Sequence, residues 1–211
     1  MIKILLIRHG LTNYNLEEKI QGSLEIKLHS HGLTQAKDLA KRLKSEKLDA
    51  IYSSGLLRAI TTANEILKFH PKLKLQKVPG LNERNYGEFE GLEYLPASKI
   101  EPRLFAKTNY VDMTFFPKKG ESWVHVKKRV MRAFKEILKN LPNLKNHQNQ
   151  TIAIVAHGGT NRVILSTLIG LPLHRMSVFK QNNACVNILE IDGKKVRLAL
   201  VNDTYHTLSE Y

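Results

Sequence analysis

The sequence predicts an α/β fold, a three-layer sandwich with a mainly parallel central sheet and helices on both faces. The runs 2–7 and 151–156 are short, apolar and rich in β-branched residues, as strands covered on both faces are. Segments with helical spacing of apolar residues alternate with such runs, which indicates parallel strands joined by crossover helices. A chain of 211 residues suits one domain, 1–211.

The elements follow in chain order from their apolar spacing. Strands are predicted over 2–7, 48–52, 73–78, 151–156, 186–191 and 196–201, the last two joined by a turn at 192–193. Helices are predicted from Thr34, a candidate N-terminal cap, then over 56–67, over 121–141 and through 163–168. From 81 to 119 the periodicity is lost and three prolines occur, so we predict a lid or insertion over the site at 93–119.

Net charge is +14, from 33 Lys and Arg against 19 Asp and Glu, so the surface should attract anions. Charge alone leaves open nucleic acid, phosphorylated metabolites or a solvated lysine-rich surface. The lysines are scattered, and no helix-turn-helix, zinc-ligand or ribonucleoprotein signature occurs. We therefore expect no nucleic-acid partner.

The lone Cys185 cannot form an internal disulfide, and the apolar stretch 163–173 is far shorter than the ~20 residues that span a bilayer. We expect a cytoplasmic protein without a membrane partner; a homodimer stays open. His29 and His31 resemble a metal pair, but no third ligand lies nearby. No metal is predicted.

Polar side chains follow three predicted strands. Arg8-His9-Gly10 follows the first, Ser53-Ser54 and then Arg58 follow the second, and His157-Gly158-Gly159 follows the fourth. Ligands of open α/β sheets bind at the carboxyl ends of strands, so these groups should converge. Guanidinium groups pair with phosphoryl oxygens, glycine allows close backbone donors, and imidazole can attack phosphorus. Each group alone could be structural, and their recurrence favours a phosphoryl site.

These blocks resemble the histidine phosphatase superfamily, which includes cofactor-dependent phosphoglycerate mutases. The resemblance covers most of the chain and follows the family's order. Its blocks are Leu6-Ile7-Arg8-His9-Gly10-Leu11-Thr12-Asn13-Tyr14-Asn15, Gln21-Gly22, Tyr52-Ser53-Ser54-Gly55-Leu56-Leu57-Arg58-Ala59, Leu81-Asn82-Glu83-Arg84-Asn85-Tyr86-Gly87, Gly120-Glu121-Ser122, Ala156-His157-Gly158-Gly159 and Asn202-Asp203-Thr204.

The resemblance implies a metal-independent, histidine acid-type phosphatase that needs no cofactor. His9 of the Arg-His-Gly (RHG) motif would be the nucleophile and Glu83 the proton donor to the leaving alcohol. The phosphoryl group would be bound by Arg8, Asn15, Arg58, His157 and the Gly158 backbone, and the rest of the substrate by Gln21, Gly22, Tyr86 and Arg103. Further candidates for selecting the leaving group are Lys99, Lys107, Tyr110, Phe115 and Phe116. Cations around His9 should lower its pKa and keep it neutral for attack.

Phosphatase and mutase would share the phosphohistidine and differ in the second acceptor. The segment between 92 and 120 is short and Arg103 is its only arginine. Mutases resembling this protein carry a longer insertion with adjacent arginines, which a retained bisphosphate would need. We therefore predict a phosphomonoester hydrolase acting on a small phosphorylated metabolite. The alternative is a mutase, and only then would 2,3-bisphosphoglycerate be a cofactor.

Overall fold

A central sheet organises the computed structural model, which describes residues 1–104, 112–141 and 149–210. Within these residues the sheet has six strands in the order β3-β2-β4-β1-β5-β6. The strands are β1 (Ile2–Arg8), β2 (Ala50–Ser53), β3 (Leu75–Lys77), β4 (Gln150–Ala156), β5 (Val186–Asp192) and β6 (Lys195–Asp203). The first four are parallel, whereas β5 and β6 run antiparallel to their neighbours. The predicted fold class is confirmed.

Helices cover both faces of the sheet. They are α1 (Asn13–Leu16), α2 (Ser30–Leu43), α3 (Leu57–Leu67), α4 (Tyr94–Ile100), α5 (Trp123–Lys139) and α6 (Gly158–Leu168). Helices α2 and α3 pack on one face and α5 and α6 on the other. Short 3-10 turns occupy Pro79–Leu81, Gly87–Phe89, Pro102–Leu104, Leu173–Val178 and Tyr205–Glu210. In the described part of the chain, no helix has the length and apolarity to cross a membrane.

Strand β1 shows why its sequence is apolar without alternation. Ile4 and Leu6 face the core beneath α5 and α6, while Leu5 and Ile7 face the core beneath α2 and α3. All four side chains are buried. Successive strand residues point to opposite faces, so a strand covered on both sides needs apolar residues throughout.

Helix α2 begins one turn earlier than predicted. Its N-terminal cap is His29, whose Nδ1 accepts the backbone N–H of His31, and Thr34 lies inside the helix. The prediction of Thr34 as the cap was therefore wrong. Position 32, in the first turn, is occupied by glycine because a side chain would not fit there. A Cβ added to Gly32 would lie 2.0 Å from the carbonyl oxygen of Leu11.

The described part of the segment 93–119 contains two short helical elements. It contains α4, which the loss of periodicity did not predict, and the 3-10 turn Pro102–Leu104. Residues 105–111 lie outside the described residues, and with them the candidates Lys107 and Tyr110. The described strands β2 and β3 are also shorter than predicted, and β3 covers only Leu75–Lys77.

Candidate active site

The strand ends that carry the predicted site residues meet at one edge of the sheet. Strands β1 and β4 are paired in parallel with Arg8 opposite Ala156, and β2 pairs with β4 with Ser53 opposite Val155. A cavity of about 600 Å³ opens at this edge. It is lined by most of the predicted site residues, namely Arg8, His9, Asn15, Gln21, Gly22, Arg58, Glu83, Tyr86 and Gly158.

His9 is buried at the base of this cavity, with 3% of its surface exposed. Its Nδ1 lies 2.7 Å from the carbonyl oxygen of Gly10, to which it donates a hydrogen bond. Burial lowers the pKa of His9 well below its usual value, and the charges of Arg58 and Arg8 lower it further. The ring is therefore neutral near pH 7, and its Nε2 carries the lone pair.

His157, which directly follows β4, lies beside His9. The side chain is fully buried, and its ring centroid is 5.2 Å from that of His9. Its Nε2 lies 2.7 Å from the Ser54 hydroxyl, whereas its Nδ1 has no partner among the described residues. Burial lowers the pKa of His157 well below its usual value, with Arg58 and His9 contributing. This histidine is also neutral near pH 7.

Arg58 and Arg8 are oriented by backbone carbonyls. Arg58 donates from Nη1 to the oxygen of Leu24 at 2.8 Å and from Nη2 to that of Gly22 at 2.7 Å, and Arg8 donates to the oxygen of Gln181. The Nε of each has no partner in the described part of the chain. Burial lowers the pKa of Arg58 to about 10, so its guanidinium stays charged at neutral pH.

Neither of these two arginines has a carboxylate within salt-bridge distance among residues 1–104, 112–141 and 149–210. Buried charges are costly unless an opposite charge and hydrogen bonds compensate them. The buried guanidinium of Arg58 and the half-buried one of Arg8, each with a buried Nε that has no partner among the described residues, therefore suit an anion with several oxygens, such as a phosphoryl group.

Asn15 presents its amide nitrogen at the cavity. Its Oδ1 accepts hydrogen bonds from the backbone N–H and hydroxyl of Thr12 and from Nδ2 of Asn183, at 3.0 to 3.2 Å. With its oxygen occupied, Nδ2 is the group left to donate to a ligand. Asn183 also donates to the carbonyl oxygen of His9. The sequence reasoning missed Asn183, since nothing in its local pattern indicates these long-range contacts.

Glu83 is fixed across the cavity by backbone donors. Its Oε2 accepts the N–H of Gly159 at 2.9 Å, and its Oε1 accepts the N–H of Arg84 at 3.0 Å. The loop beneath it is tied to α5 by Arg129, which donates to the carbonyl oxygens of residues 80, 82 and 83 and pairs with both oxygens of Glu121. The sequence reasoning missed Arg129. The available signal was its charge, since it lies between the buried positions Val126 and Val130 of α5.

The predicted substrate-binding residues divide. Gln21, Gly22 and Tyr86 line the cavity, but Arg103 does not: its guanidinium pairs with Glu101 and lies 4.0 Å from the centroid of the Phe115 ring. The further candidates Lys99, Phe115 and Phe116 also lie off the wall formed by the described residues, whereas the unpredicted Lys19, Tyr94 and Arg162 lie on it.

The fold and these buried cations define an α/β protein with an anion-binding site at the carboxyl edge of its sheet. The family model of the histidine phosphatase superfamily (branch 1) matches residues 4–204, and the chain belongs to this superfamily. The predicted family and its phosphatase class are thus confirmed.

Named relatives agree with this family. The chain is 35% identical over 208 residues to phosphoglycerate mutase-like protein 4 of Arabidopsis thaliana, covering 97% of this chain and 86% of the relative. It is 33% identical to the metal-independent phosphoserine phosphatase of the same plant, over 98% of this chain and 84% of the relative. A mycobacterial glucosyl-3-phosphoglycerate phosphatase complexed with VO3 superposes with a TM-score of 0.82 at 28% identity, over 95% of this chain and 98% of that one.

Proposed function

We propose that the protein hydrolyses a small phosphomonoester by transferring its phosphoryl group first to His9 and then to water. The observation that carries this proposal is the state of His9. Its Nδ1–H is committed to the carbonyl oxygen of Gly10, so Nε2 holds a lone pair beside two guanidinium groups. A neutral imidazole next to positive charge can attack phosphorus while the cations bind the phosphoryl oxygens.

In the first step Nε2 of His9 forms a bond to phosphorus, and the bond from phosphorus to the ester oxygen breaks. The leaving oxygen takes a proton from Glu83, and the products are the alcohol and phosphohistidine. Arg8, Arg58, Asn15 and His157 bind the phosphoryl oxygens together with the backbone at Gly158, where the N-terminus of α6 favours negative charge.

In the second step water attacks phosphorus and gives its proton to the Glu83 carboxylate. The bond from phosphorus to Nε2 breaks, its electron pair returns to His9, and inorganic phosphate is released. Glu83 thus serves as acid and then as base, which regenerates the starting state. Both of its oxygens keep a second lone-pair direction beside their backbone bonds, so either can carry the proton.

The chemistry is proposed to need no metal and no cofactor. The similarity to a relative named as metal-independent supports this. Among the described residues, no group of three or more His, Cys, Asp or Glu is placed to hold a metal ion. The cytoplasmic location and the homodimer stay predictions.

The single domain over 1–211 and the lid over 93–119 are likewise proposals. Tyr94 and Leu95 of α4 line the cavity, which supports a cover formed by this segment.

Mutase activity is the second candidate because the chain is 35% identical over 179 residues to a 2,3-bisphosphoglycerate-dependent phosphoglycerate mutase of Bartonella henselae, covering 80% of this chain. Against it, Arg103 is paired with Glu101 away from the cavity. Assays of phosphorylated metabolites with and without 2,3-bisphosphoglycerate, which read both free phosphate and phosphoglycerate isomerisation, separate the two activities.

The hydrolysis of p-nitrophenyl phosphate tests the proposal. We expect activity that persists in chelator and is inhibited by vanadate. A phosphate-labelled substrate quenched without acid during turnover should yield labelled protein. His9→Ala should lose both activity and label, whereas His70→Ala, which removes a histidine bonded to the carbonyl oxygen of Leu43, should keep both. Activity that requires a divalent metal, or labelled His9→Ala protein, would contradict the mechanism.

A further inference from the structure

The cavity wall carries a third arginine, Arg162, which the phosphoryl chemistry does not use. It lies four residues after Gly158 in α6, and this spacing places both residues on the same face of the helix. Gly158 itself adjoins Arg8: a Cβ added there would lie 3.5 Å from the Arg8 Nε. The charge of Arg162 contributes to lowering the pKa of Arg8, and it opposes the rise in the pKa of Tyr94 that burial causes. Arg162 therefore lies near both the phosphoryl cations and α4.

Arg162 has no carboxylate within salt-bridge distance among the described residues, unlike several other arginines and one lysine of the cavity wall. Arg42, Arg103, Arg129 and Arg197 each form a salt bridge with an acidic residue, and so does the cavity-lining Lys19, with Glu17. In the described part of the chain, Arg162 makes one side-chain hydrogen bond, from Nε to the carbonyl oxygen of Phe179 at 2.9 Å. That bond orients the guanidinium and leaves its two Nη groups for a ligand.

We infer that Arg162 binds a carboxylate of the substrate, so that the substrate class is a phosphomonoester that also carries a carboxylate; this rests on the proposed phosphatase function. Two Nη groups side by side match the two oxygens of a carboxylate. A second phosphate would place roughly two negative charges against a single guanidinium. The same cavity wall also holds the acidic residues Glu18 and Glu83, which would repel the second of these charges. The cavity of about 600 Å³ has room for the organic part between the two anionic groups.

Matched substrate pairs test this inference. Phosphoserine is compared with phosphoethanolamine, and 3-phosphoglycerate with glycerol 3-phosphate, since the members of each pair differ in the carboxylate. We expect the wild-type protein to have a higher kcat/KM for the carboxylate member. Arg162→Gln should reduce that preference by about 10- to 100-fold, the size of a lost hydrogen bond to a charged group. Arg162→Lys should retain part of it.

The outcomes separate this inference from the proposed function. If the wild-type protein shows no preference for the carboxylate, or if Arg162→Gln keeps the full preference, Arg162 does not bind a carboxylate. A preference for a bisphosphate over both carboxylate substrates would assign the site to a second phosphate and overturn the inference. If the wild-type protein hydrolyses neither these esters nor p-nitrophenyl phosphate, the phosphatase function itself fails.

A second inference concerns Ser54, whose hydroxyl contacts the ring of His157. The Ser54 Oγ lies 2.7 Å from Nε2 of His157 and accepts the backbone N–H of Leu56 at 3.3 Å. Both side chains are fully buried. The Leu56 N–H is a donor and cannot accept the Ser54 hydroxyl proton. Of the two contacts of this hydroxyl, only Nε2 of His157 can therefore accept its proton.

Two arrangements of the protons are conceivable. If Nε2 carried the proton, the buried Ser54 hydroxyl would lack an acceptor and Nδ1 would present a lone pair, which repels phosphoryl oxygens. If Ser54 donates to Nε2, the hydroxyl proton has an acceptor, the proton of the neutral ring lies on Nδ1, and Nδ1 has no partner among the described residues, so it is left to donate to a ligand. The geometry points to Ser54 as a positioning residue that holds His157 as the Nδ1–H tautomer, which can donate to the phosphoryl group.

Nitrogen NMR of the 211-residue chain labelled with ¹⁵N-histidine tests the assignment, since the two neutral tautomers have different ring-nitrogen shifts. We expect Nδ1–H in the wild-type protein and a loss of this tautomer in Ser54→Ala, with vanadate binding weakened about tenfold. Ser53→Ala is the matched control, because its buried hydroxyl donates to the Ser54 carbonyl and not to His157. Ser54→Thr should restore the tautomer. An Nε2–H tautomer in the wild-type protein, or an unchanged tautomer in Ser54→Ala, would overturn the inference.

Discussion

Gly159→Ala should displace the proposed proton donor without removing a functional group. A Cβ at this position would lie 2.5 Å from Oε1 of Glu83 and 2.6 Å from the Trp123 ring. To regain an ordinary contact of 3.4 Å, the carboxylate must retreat by about 0.9 Å. Displacements of about 1 Å can reduce rates by roughly 100-fold. The helix itself should not suffer, because alanine exceeds glycine in helix propensity by about 1 kcal/mol.

Substrates with different leaving groups reveal this displacement. We expect kcat of Gly159→Ala to fall by roughly 100-fold on an alkyl phosphate, which needs the proton, and much less on p-nitrophenyl phosphate. Gly158→Ala adds the same methyl group one residue earlier, but its contact with Arg8 is an ordinary 3.5 Å, so its losses should be smaller. Equal losses on the two substrates, or larger losses in Gly158→Ala, would refute the reasoning.

Three further predictions concern charge. Arg58→Ala should lower kcat/KM for p-nitrophenyl phosphate by about 2.7 to 4 kcal/mol of transition-state stabilisation; a loss below tenfold would contradict its role. Arg129→Met should free the loop that carries Glu83 and reduce kcat mainly on alkyl phosphates, and a change confined to KM would argue against it. Burial and Arg42 lower the pKa of His206 to about 4, so the unfolded chain binds the extra proton between pH 6.5 and 4. The free energy of unfolding should therefore decrease as the pH is lowered from 6.5 to 4, and it should decrease less steeply in His206→Gln. Equal slopes in urea titrations would exclude this cause.

The residues that converge on the cavity could be predicted from the sequence because strand ends define one edge of a parallel sheet. The nearly unbroken apolarity of β1 and β4 predicted these strands, and their register places Arg8 opposite Ala156, next to His157. The convergence of the site residues can therefore be predicted without knowing any side-chain contact. The catalytic roles assigned to these residues still await the experiments above.

Other features could not be predicted because they depend on contacts between distant segments. Helix α2 begins at Ser30, and Gly32 in its first turn packs closely against the backbone of Leu11, a contact that a local sequence pattern does not show. Arg129 contacts the site through carbonyl oxygens, which every residue possesses, so no sequence motif marks its partners. Arg103 was expected at the cavity for its charge, but Glu101, two residues before it, pairs with it instead.

Backbone carbonyl oxygens also explain why the site keeps its positive charge, because they orient Arg58 without neutralising it. A carboxylate beside Arg58 would orient the guanidinium and also cancel its charge. The carbonyls of Gly22 and Leu24 orient it and leave the charge in place. Because burial weakens solvent screening, this charge acts strongly on His9 and on any bound anion. One arrangement thus keeps the imidazole neutral and attracts the group that it would attack.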